Sequence, residues 1–354
     1  MAHLFTPVKI RGITFRNRVV VSPMCQYSAI DGVVGTWHQV HLGAFATGAS
    51  ALVMVEATGV NSVGRISIGC PGLWNDEQEA AFLPIVEFAH SQSTLIGIQL
   101  AHAGQKASTT LPGSDHAIAT PAEGGWQSVA PSPIAFHGLQ HPHEMNVEEI
   151  QRTTADFVAA ATRAVRAGFD VVEIHAAHGY LFHQFLSPIS NHRTDEYGGS
   201  LANRTRFLRE VSTAIRDEIP DSMPLFVRIS ATDWSEGGWD LEQSIVLAQE
   251  LKLIGVDLID VSTGGTVHDA KIPVAPGFQV PFARTMKEAT GILTSAVGMI
   301  TEAEQANSII ESDSADLVML AREMLRNPRW TLDAATKLAA SAEWPIQLIR
   351  GKKS

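Results

Sequence analysis

The chain has 354 residues, of which 45% are hydrophobic and 18% are charged. Its 37 acidic and 26 basic residues give a net charge of −11, which argues against nucleic acid or an anionic membrane as a general partner, because both require clustered positive charge. Two cysteines are too few for a disulfide framework, a four-cysteine zinc site or a cysteine-ligated iron–sulfur cluster. No signal-peptide pattern is present, and no segment approaches the roughly 20 apolar residues that cross a bilayer. We therefore expect a cytoplasmic globular protein.

Short apolar runs rich in Val, Ile and Leu recur along the whole chain. Continuous apolarity is typical of parallel strands that are covered on both faces, whereas strands with one exposed face alternate. Most of the gaps between these runs carry a helical pattern. The eight runs are residues 19–21, 51–55, 95–100, 171–174, 225–229, 256–261, 292–297 and 317–320.

The helical segments have recognisable ends. Four polar residues precede a Glu or Gln by three positions, which is the spacing of an N-terminal capping box. Two glycines follow helical segments, where a left-handed C-terminal cap is expected. The predicted N-caps are Asp76, Asn146, Asp240 and Thr301, and the predicted C-terminal glycines are Gly168 and Gly255.

Strand–helix alternation repeated eight times predicts a single (β/α)8 TIM barrel that occupies residues 1–354 as one domain. Residues 103–146 form a long loop after the third strand, and residues 344–351 form a short C-terminal tail. The alternative is a doubly wound open sheet, which would carry a Gly-x-Gly-x-x-Gly turn after an early strand. The sequence contains no such turn, and this favours the barrel.

Functional groups of a TIM barrel lie where the strands end, since the carboxyl ends and the following loops form the active face. Polar side chains gather at these positions in this sequence. Burying them costs free energy unless they are paired, so a bound ligand is a natural partner. The polar residues at strand ends include Ser22, Cys25, Tyr27, Glu56, Gln99, His102, His175, His178, Tyr180, Arg228, Ser262 and Arg322.

Two groups of these residues suggest chemistry. His175 and His178 could bind a metal, relay a proton or hydrogen-bond a substrate oxygen, and Tyr180 adds a phenol that can donate a proton. Gly298 and Arg322 follow the last two strands, where barrels often bind phosphate. A metal-dependent hydrolase or lyase and a non-catalytic phosphate-binding barrel are therefore open alternatives, although the sequence lacks the further ligands expected near a zinc-binding His pair.

Five motifs together resemble the old yellow enzyme family. The cysteine of the first motif and the short tail resemble the bacterial branch of NADPH dehydrogenases and xenobiotic reductases, which are ene-reductases. The similarity runs in order through essentially the entire chain. The motifs are Ser22-Pro23-Met24-Cys25-Gln26-Tyr27, residues 99–104 (QLAHAG), residues 175–181 (HAAHGYL), Asn203-Arg204 within residues 197–204, and Arg322.

This resemblance implies a barrel with tightly but non-covalently bound FMN, for which NADPH is the hydride donor. Arg228 would place positive charge beside flavin N1, and Gln99 would bond the pyrimidine edge of the ring. The lack of further cysteines separates the chain from the larger iron–sulfur relatives. The residues implied at the flavin ring are Ser22, Pro23, Met24, Cys25, Ala57, Gln99 and Arg228, and those implied at the phosphate are Val297, Gly298, Ala321 and Arg322.

The resemblance also implies the chemistry of the substrate, an electron-poor alkene, nitro compound or quinone. His175 and His178 would hydrogen-bond the carbonyl or nitro oxygen, and Tyr180 would protonate the α-carbon after hydride reaches the β-carbon. Tyr27 resembles a second substrate contact. Arg350 resembles a residue that reaches the active site of a neighbouring subunit, which implies a homodimer or homotetramer.

Overall fold

The computed structural model of the chain describes residues 2–352, and its centre is a closed barrel of eight parallel strands. The strands are β1 (Val8–Ile10), β2 (Ile13–Phe15), β3 (Val19–Val21), β4 (Leu52–Gly59), β5 (Leu95–Ala101), β6 (Val129–Ala130), β7 (His143–Glu144), β8 (Val171–Ala176), β9 (Leu225–Ser230), β10 (Leu258–Ser262), β11 (Leu293–Ala296) and β12 (Leu317–Leu320). The α-helices are α1 (Thr36–Ala46), α2 (Asp76–Ser91), α3 (Val147–Arg166), α4 (Leu181–Leu186), α5 (Leu201–Glu218), α6 (Leu241–Ile254), α7 (Val280–Thr290), α8 (Ala303–Glu311), α9 (Arg322–Arg326) and α10 (Trp330–Lys337).

The barrel runs in the order β3, β4, β5, β8, β9, β10, β11 and β12, and β12 closes it by pairing with β3. Every neighbouring pair is parallel. All eight predicted apolar runs lie on these strands, so the predicted TIM barrel is confirmed and the open-sheet alternative is wrong. Closure removes both sheet edges, which would otherwise expose unpaired backbone groups.

Alternate residues of each barrel strand point inward and outward, as the pleat of a strand requires. Outward-facing residues such as Val172 and Ile174 pack in the large cluster between strands and helices. Inward-facing apolar residues such as Val171 and Phe226 form a second, smaller cluster. The antiparallel hairpin of β1 and β2 adds to that inner cluster, where the Phe15 and Phe226 rings stack with centroids 6.3 Å apart. Because these groups precede the middle of each strand, they close the amino end of the barrel.

The predicted helix ends are confirmed at four positions and wrong at two. Asn146 and Asp240 cap α3 and α6, and Gly168 and Gly255 adopt positive φ angles of 86° and 101° after those helices. The N-cap of α2 is Asn75 rather than Asp76, because the Asn75 side chain accepts the hydrogen bond from the Gln78 backbone N–H. Helix α8 follows Glu302 instead of Thr301, and its first turn has no side-chain cap.

The segment between β5 and α3 contains the short β6–β7 pair and covers the carboxyl end of the barrel. The Trp126 indole N–H donates to the Val63 carbonyl at 2.8 Å, which fastens this segment to the loop after β4. The C-terminal tail lies elsewhere: Glu343 and Trp344 line a cavity with Arg16 and Ser93, which precede β3 and β5. The tail therefore packs at the amino end of the barrel. Among residues 2–352, no helix combines the length and apolarity needed to cross a bilayer.

Candidate active site

The carboxyl ends of the strands bring together predicted site residues that are far apart in sequence. Arg228 at the end of β9 donates to the Ser22 hydroxyl, which follows β3, over 3.3 Å. Strands β3 and β9 are four positions apart in an eight-stranded barrel, so this contact crosses the barrel interior. Both side chains are buried, and the site therefore has a polar floor inside an apolar barrel.

This floor contains two buried carboxyl groups and one buried cation. The Arg228 Nε lies 2.9 Å from a carboxylate oxygen of Asp260, whose other oxygen accepts from Ser295 at 2.8 Å. Glu173 accepts from the Gln99 amide at 2.8 Å. Burial, together with the charge of Asp260, raises the pKa of Glu173 to about 8, so Glu173 is mostly neutral at pH 7 while Asp260 balances the guanidinium.

His175, His178 and Tyr180 form an aromatic cluster above this floor. The His175 ring meets the His178 ring edge-to-face at a centroid distance of 5.2 Å, and it meets the Tyr180 ring at 4.9 Å. Burial and the positive charge of Arg228 hold the pKa of both histidines well below the usual range. Burial also raises the pKa of Tyr180 well above its usual value. At neutral pH the cluster therefore consists of two neutral imidazoles and one protonated phenol.

The loop after β8 holds His178 in an unusual backbone conformation. His178 has φ of 59°, a region that non-glycine residues seldom adopt, and its N–H donates to the Ser230 hydroxyl at 2.9 Å. The ammonium group of Lys106 donates to the carbonyls of His178 and Gly265. A Cβ atom at Gly265 would lie 2.4 Å from the His178 Cα, so only glycine permits this approach.

A buried hydrogen bond between a histidine and an aspartate fixes the other end of the same loop. His183 Nε2 lies 2.9 Å from Asp233, and both side chains are fully buried. The Gly179 N–H donates to His183 Nδ1 at 2.9 Å, so the remaining ring proton is directed at Asp233. Burial alone would raise the pKa of Asp233, but the hydrogen bonds from His183, from Ser187 and from the Trp239 N–H lower it to about 2. Asp233 therefore remains ionised and orients His183.

The loop after β3 forms the opposite wall of the site. Cys25 is half-buried, Ala57 is buried at the end of β4, and Tyr27 is 39% exposed. The loop begins at Ser22, whose hydroxyl accepts from Arg228, so its first residue lies on the floor of the site. Pro23 and Met24 lie between Ser22 and Cys25 in the same half-buried stretch.

A cavity of about 340 Å³ lies beside the ends of β11 and β12. Gly298 has φ of 115°, and a Cβ there would lie 2.7 Å from the Gln279 side chain, so a side chain would fill the approach to this cavity. Arg322 is exposed, and no ion pair engages it within the described part of the chain. The predicted phosphate residues Val297, Gly298, Ala321 and Arg322 all line this cavity.

Two predictions concern residues that do not join this cluster. Arg350 is exposed on the tail, which packs at the amino end of the barrel, and so does not belong to its own chain's site. Among residues 2–352, the one group of three His, Cys, Asp or Glu side chains close enough to share a metal ion is Cys25, Glu56 and Cys70. His175 and His178 lie outside that group, which gives the metal-dependent alternative no geometric support.

Four site residues were missed from the sequence. Glu173 and Asp260 interrupt apolar strand runs at inward-facing positions, and the alternation of each strand would have revealed them. Lys106 and Asp233 lie in loops, where no periodic pattern fixes the direction of a side chain. The contacts of Lys106 are with residues 72 and 159 positions away in the sequence. The contacts of Asp233 are with residues 46 and 50 positions away.

The chain is similar to known proteins over nearly its whole length. The model of the NADH:flavin oxidoreductase / NADH oxidase family matches residues 3–341. An NADPH dehydrogenase of Listeria monocytogenes is 48% identical over 356 residues, covering 100% of both chains. The structure of morphinone reductase is 29% identical with a TM-score of 0.78, covering 97% of this chain and 91% of its own. The old yellow enzyme homologue from Zymomonas mobilis is 26% identical with a TM-score of 0.76, covering 97% of this chain and 95% of its own.

The family model covers nearly the whole chain, and full-length relatives share almost half of its residues. The solved relatives share the barrel over almost its entire length. This chain belongs to the NADH:flavin oxidoreductase / NADH oxidase family and is an FMN-dependent oxidoreductase.

Proposed function

We propose that the protein is an NADPH-dependent ene-reductase that reduces the activated C=C bond of α,β-unsaturated carbonyl or nitro compounds in a ping-pong reaction. The observation that carries this proposal is the cluster of two neutral histidines and a protonated tyrosine above a buried arginine. Such a cluster can hydrogen-bond an oxygen and donate a proton. The name of the Listeria relative supports NADPH as the electron donor. Membership of a flavin family favours this function over a metal-dependent hydrolase or a non-catalytic phosphate-binding barrel.

The residues present fit FMN. A carboxyl oxygen of Glu173 is buried without a hydrogen-bond partner among the described residues, so the floor has a polar group that a ligand can engage. The cavity at Gly298 and Arg322 combines close backbone access with an exposed guanidinium that suits a phosphate. FMN held by these residues would supply hydride transfer between the nicotinamide and the alkene. We propose that Ser22, Pro23, Met24, Cys25, Ala57, Gln99 and Arg228 hold its ring and that Val297, Gly298, Ala321 and Arg322 hold its phosphate.

Arg228 supplies positive charge at the floor of the site. Asp260 compensates this charge only on the barrel side, and Glu173 adds no second negative charge while it stays protonated. The guanidinium therefore favours an electron-rich ligand above it, because a buried charge interacts strongly in a medium of low dielectric. This polarity suits a flavin ring that gains negative charge when it is reduced.

The histidine pair is arranged to bind a substrate oxygen. The Ala177 N–H donates to His175 Nδ1 at 3.3 Å, so the proton of the neutral ring lies on Nε2 and is available as a donor. The Ser262 hydroxyl lies 2.7 Å from His178 Nε2, and we propose that it donates to this nitrogen rather than to the more distant Gln279 side chain at 3.4 Å, which leaves the His178 proton on Nδ1. Two N–H donors directed at one carbonyl or nitro oxygen would stabilise the charge that develops on it during hydride transfer.

Tyr180 completes the reaction as the proton donor to the α-carbon. Its raised pKa keeps the phenol protonated across the neutral range, and its ring packs against His175 at 4.9 Å. Tyr27, half-exposed on the opposite wall, is proposed to contact the substrate. Quinones, which also carry an activated alkene, belong to the same substrate class.

We also propose that the chain forms a homodimer or homotetramer in which Arg350 reaches the site of a neighbouring subunit. The exposed position of Arg350, away from its own site, supports this arrangement. Large apolar side chains that remain exposed on α1, such as Trp37 (56%) and Val40 (64%), offer a surface for a second copy. Light scattering of the purified protein measures the assembly directly.

The proposed function is tested by the colour of the protein. Protein purified with added FMN is expected to be yellow, to bleach under anaerobic NADPH and to recover its colour when cyclohexenone is added. Absorbance near the flavin band follows both half-reactions in a stopped-flow instrument. A colourless protein that fails to retain flavin, or bleached protein that no enone restores, would contradict the proposal.

Arg322→Ala is expected to raise the Kd for FMN by about 10- to 100-fold, because hydrogen bonds to a charged group contribute about 1.5–3 kcal/mol. Quenching of FMN fluorescence by apoprotein measures this Kd. Arg326→Ala is the matched control, since Arg326 lines the same cavity but its guanidinium already pairs with Glu323 at 2.7 Å. Equal weakening by both substitutions would show that Arg322 makes no specific contact with the cofactor.

Tyr180→Phe is expected to slow reoxidation by cyclohexenone by about 10²-fold while leaving flavin reduction by NADPH nearly unchanged, since general acid catalysis typically contributes 10²–10⁴-fold. Tyr197→Phe is the control, because the Tyr197 hydroxyl donates to Glu210 at 3.0 Å outside the site. Equal slowing of both half-reactions in Tyr180→Phe would refute the role of proton donor.

Glu173→Gln is expected to flatten the dependence of stability on pH. The pKa of Glu173 rises from 4.5 in the unfolded chain to about 8 in the folded chain, so the folded state binds the extra proton. The stabilisation of the folded state by this proton is complete below pH 4.5 and is lost as pH rises through 8. The free energy of unfolding falls by up to about 1.4 kcal/mol per pH unit over this range. Urea unfolding between pH 5 and 9 at fixed FMN concentration measures this slope. Glu87→Gln, at an exposed position on α2, should keep the native slope, and an unchanged slope in Glu173→Gln would disprove this assignment.

A further inference from the structure

The two cysteines of the chain, Cys25 and Cys70, meet beside the site although 44 residues lie between them in the sequence. Both are free thiols, and their sulfur atoms and a carboxylate oxygen of Glu56 all lie within 4.8 Å of one another. Cys70 is fully buried, whereas Cys25 is half-buried and faces the site. The proposed function gives Cys70 no role, so its position next to the other cysteine calls for a separate explanation.

The backbones that carry the two cysteines run side by side. The Ala29 N–H donates to the Gly69 carbonyl at 2.9 Å, which joins the loop after β3 to the loop after β4. A Cβ at Gly69 would lie 2.6 Å from the carbonyl oxygen of Tyr27, so the two backbone segments are in contact without a side chain between them. A disulfide requires two sulfurs on neighbouring backbone segments, and the contact between these two loops together with sulfur atoms within 4.8 Å of each other meets that requirement.

The surroundings assign different roles to the two sulfurs. The hydrogen bond from Cys25 lowers the pKa of Cys70 even though burial opposes this shift, and the Ser67 hydroxyl, 3.3 Å from the Cys70 sulfur, acts in the same direction. The same thiol–thiol hydrogen bond, with burial, raises the pKa of Cys25. Negative charge is therefore favoured on the Cys70 sulfur, and Cys25 is the less buried residue of the two.

We propose that Cys25 and Cys70 form a reversible disulfide when a peroxide oxidises the protein. One of the two sulfurs, as its thiolate, takes one oxygen atom from the peroxide and becomes a sulfenic acid, and the rest of the peroxide leaves as water. The other sulfur then attacks the oxidised sulfur, an S–S bond forms, the S–O bond breaks, and the hydroxyl leaves as a second water with the thiol proton. In total, two thiols are oxidised and one hydrogen peroxide is reduced to two waters.

The disulfide would change the wall of the site. It would remove the Cys25 S–H group and fasten the loop that carries Tyr27 to the loop after β4. Its effect on flavin chemistry rests on the proposed function, in which Cys25 lies at the flavin edge. The disulfide itself depends only on the positions of the two sulfurs, so its chemical detection stays independent of whether the ene-reductase proposal holds.

The test is a thiol assay on FMN-loaded protein. After treatment with hydrogen peroxide and alkylation with N-ethylmaleimide under denaturing conditions, we expect an intact mass lower by two hydrogen atoms with no alkylation. Peptide mapping without reductant should link the Cys25 and Cys70 peptides within one chain, and dithiothreitol should restore two alkylatable thiols. Cys70→Ser protein should instead gain oxygen at Cys25 and show no loss of hydrogen.

Three results would overturn the proposal. One is that both thiols of the peroxide-treated wild-type protein remain open to alkylation, and another is that oxygen accumulates on Cys25 of the wild type without a link to Cys70. The third concerns metal binding, since the same three side chains could hold a soft cation. Thiols that are protected before peroxide is added and released by EDTA rather than by dithiothreitol would assign the cluster to a metal ion.

Discussion

The ion pair between Arg228 and Asp260 is the interaction on which the site depends. A guanidinium buried inside an apolar barrel without a counter-charge is strongly destabilising, and Asp260 provides that charge at 2.9 Å from the adjacent strand. Strand pairing fixes this partnership, because Arg228 and Asp260 are directly opposed in the register of β9 and β10. Glu173 on the other neighbouring strand must then stay neutral, since the two carboxyl groups share one cation.

The aromatic cluster depends in turn on this floor. Burial, reinforced by the charge of Arg228, keeps the imidazoles neutral, and neutral imidazoles donate a hydrogen bond without bringing a second cation into the site. Their orientation depends on a strained loop: His178 has positive φ, Lys106 binds its carbonyl, and Gly265 leaves space for its backbone. A strained backbone conformation persists only where several contacts hold it, and such conformations are common at active sites.

Much of this organisation could be predicted from the sequence. The eight apolar runs correspond to the eight barrel strands, and the residues at their ends form the site. The capping pattern placed Asn146 and Asp240 correctly, because these caps depend on neighbours within one helical turn. It failed at Asp76, where Asn75 and Asp76 are both good caps and only the backbone entering the helix distinguishes them.

The sequence by itself determined the alternation of strands and helices, since periodic burial and local caps are properties of short segments. It also determined which strand ends carry the histidines, Tyr180 and Arg228, because the order of the residues along each strand is enough to place them. Tertiary structure alone decided that Asp233 orients His183, that Lys106 holds the His178 loop and that Cys70 lies against Cys25. These contacts join loops that are distant in the chain, and no local pattern encodes the direction in which a loop carries its side chains.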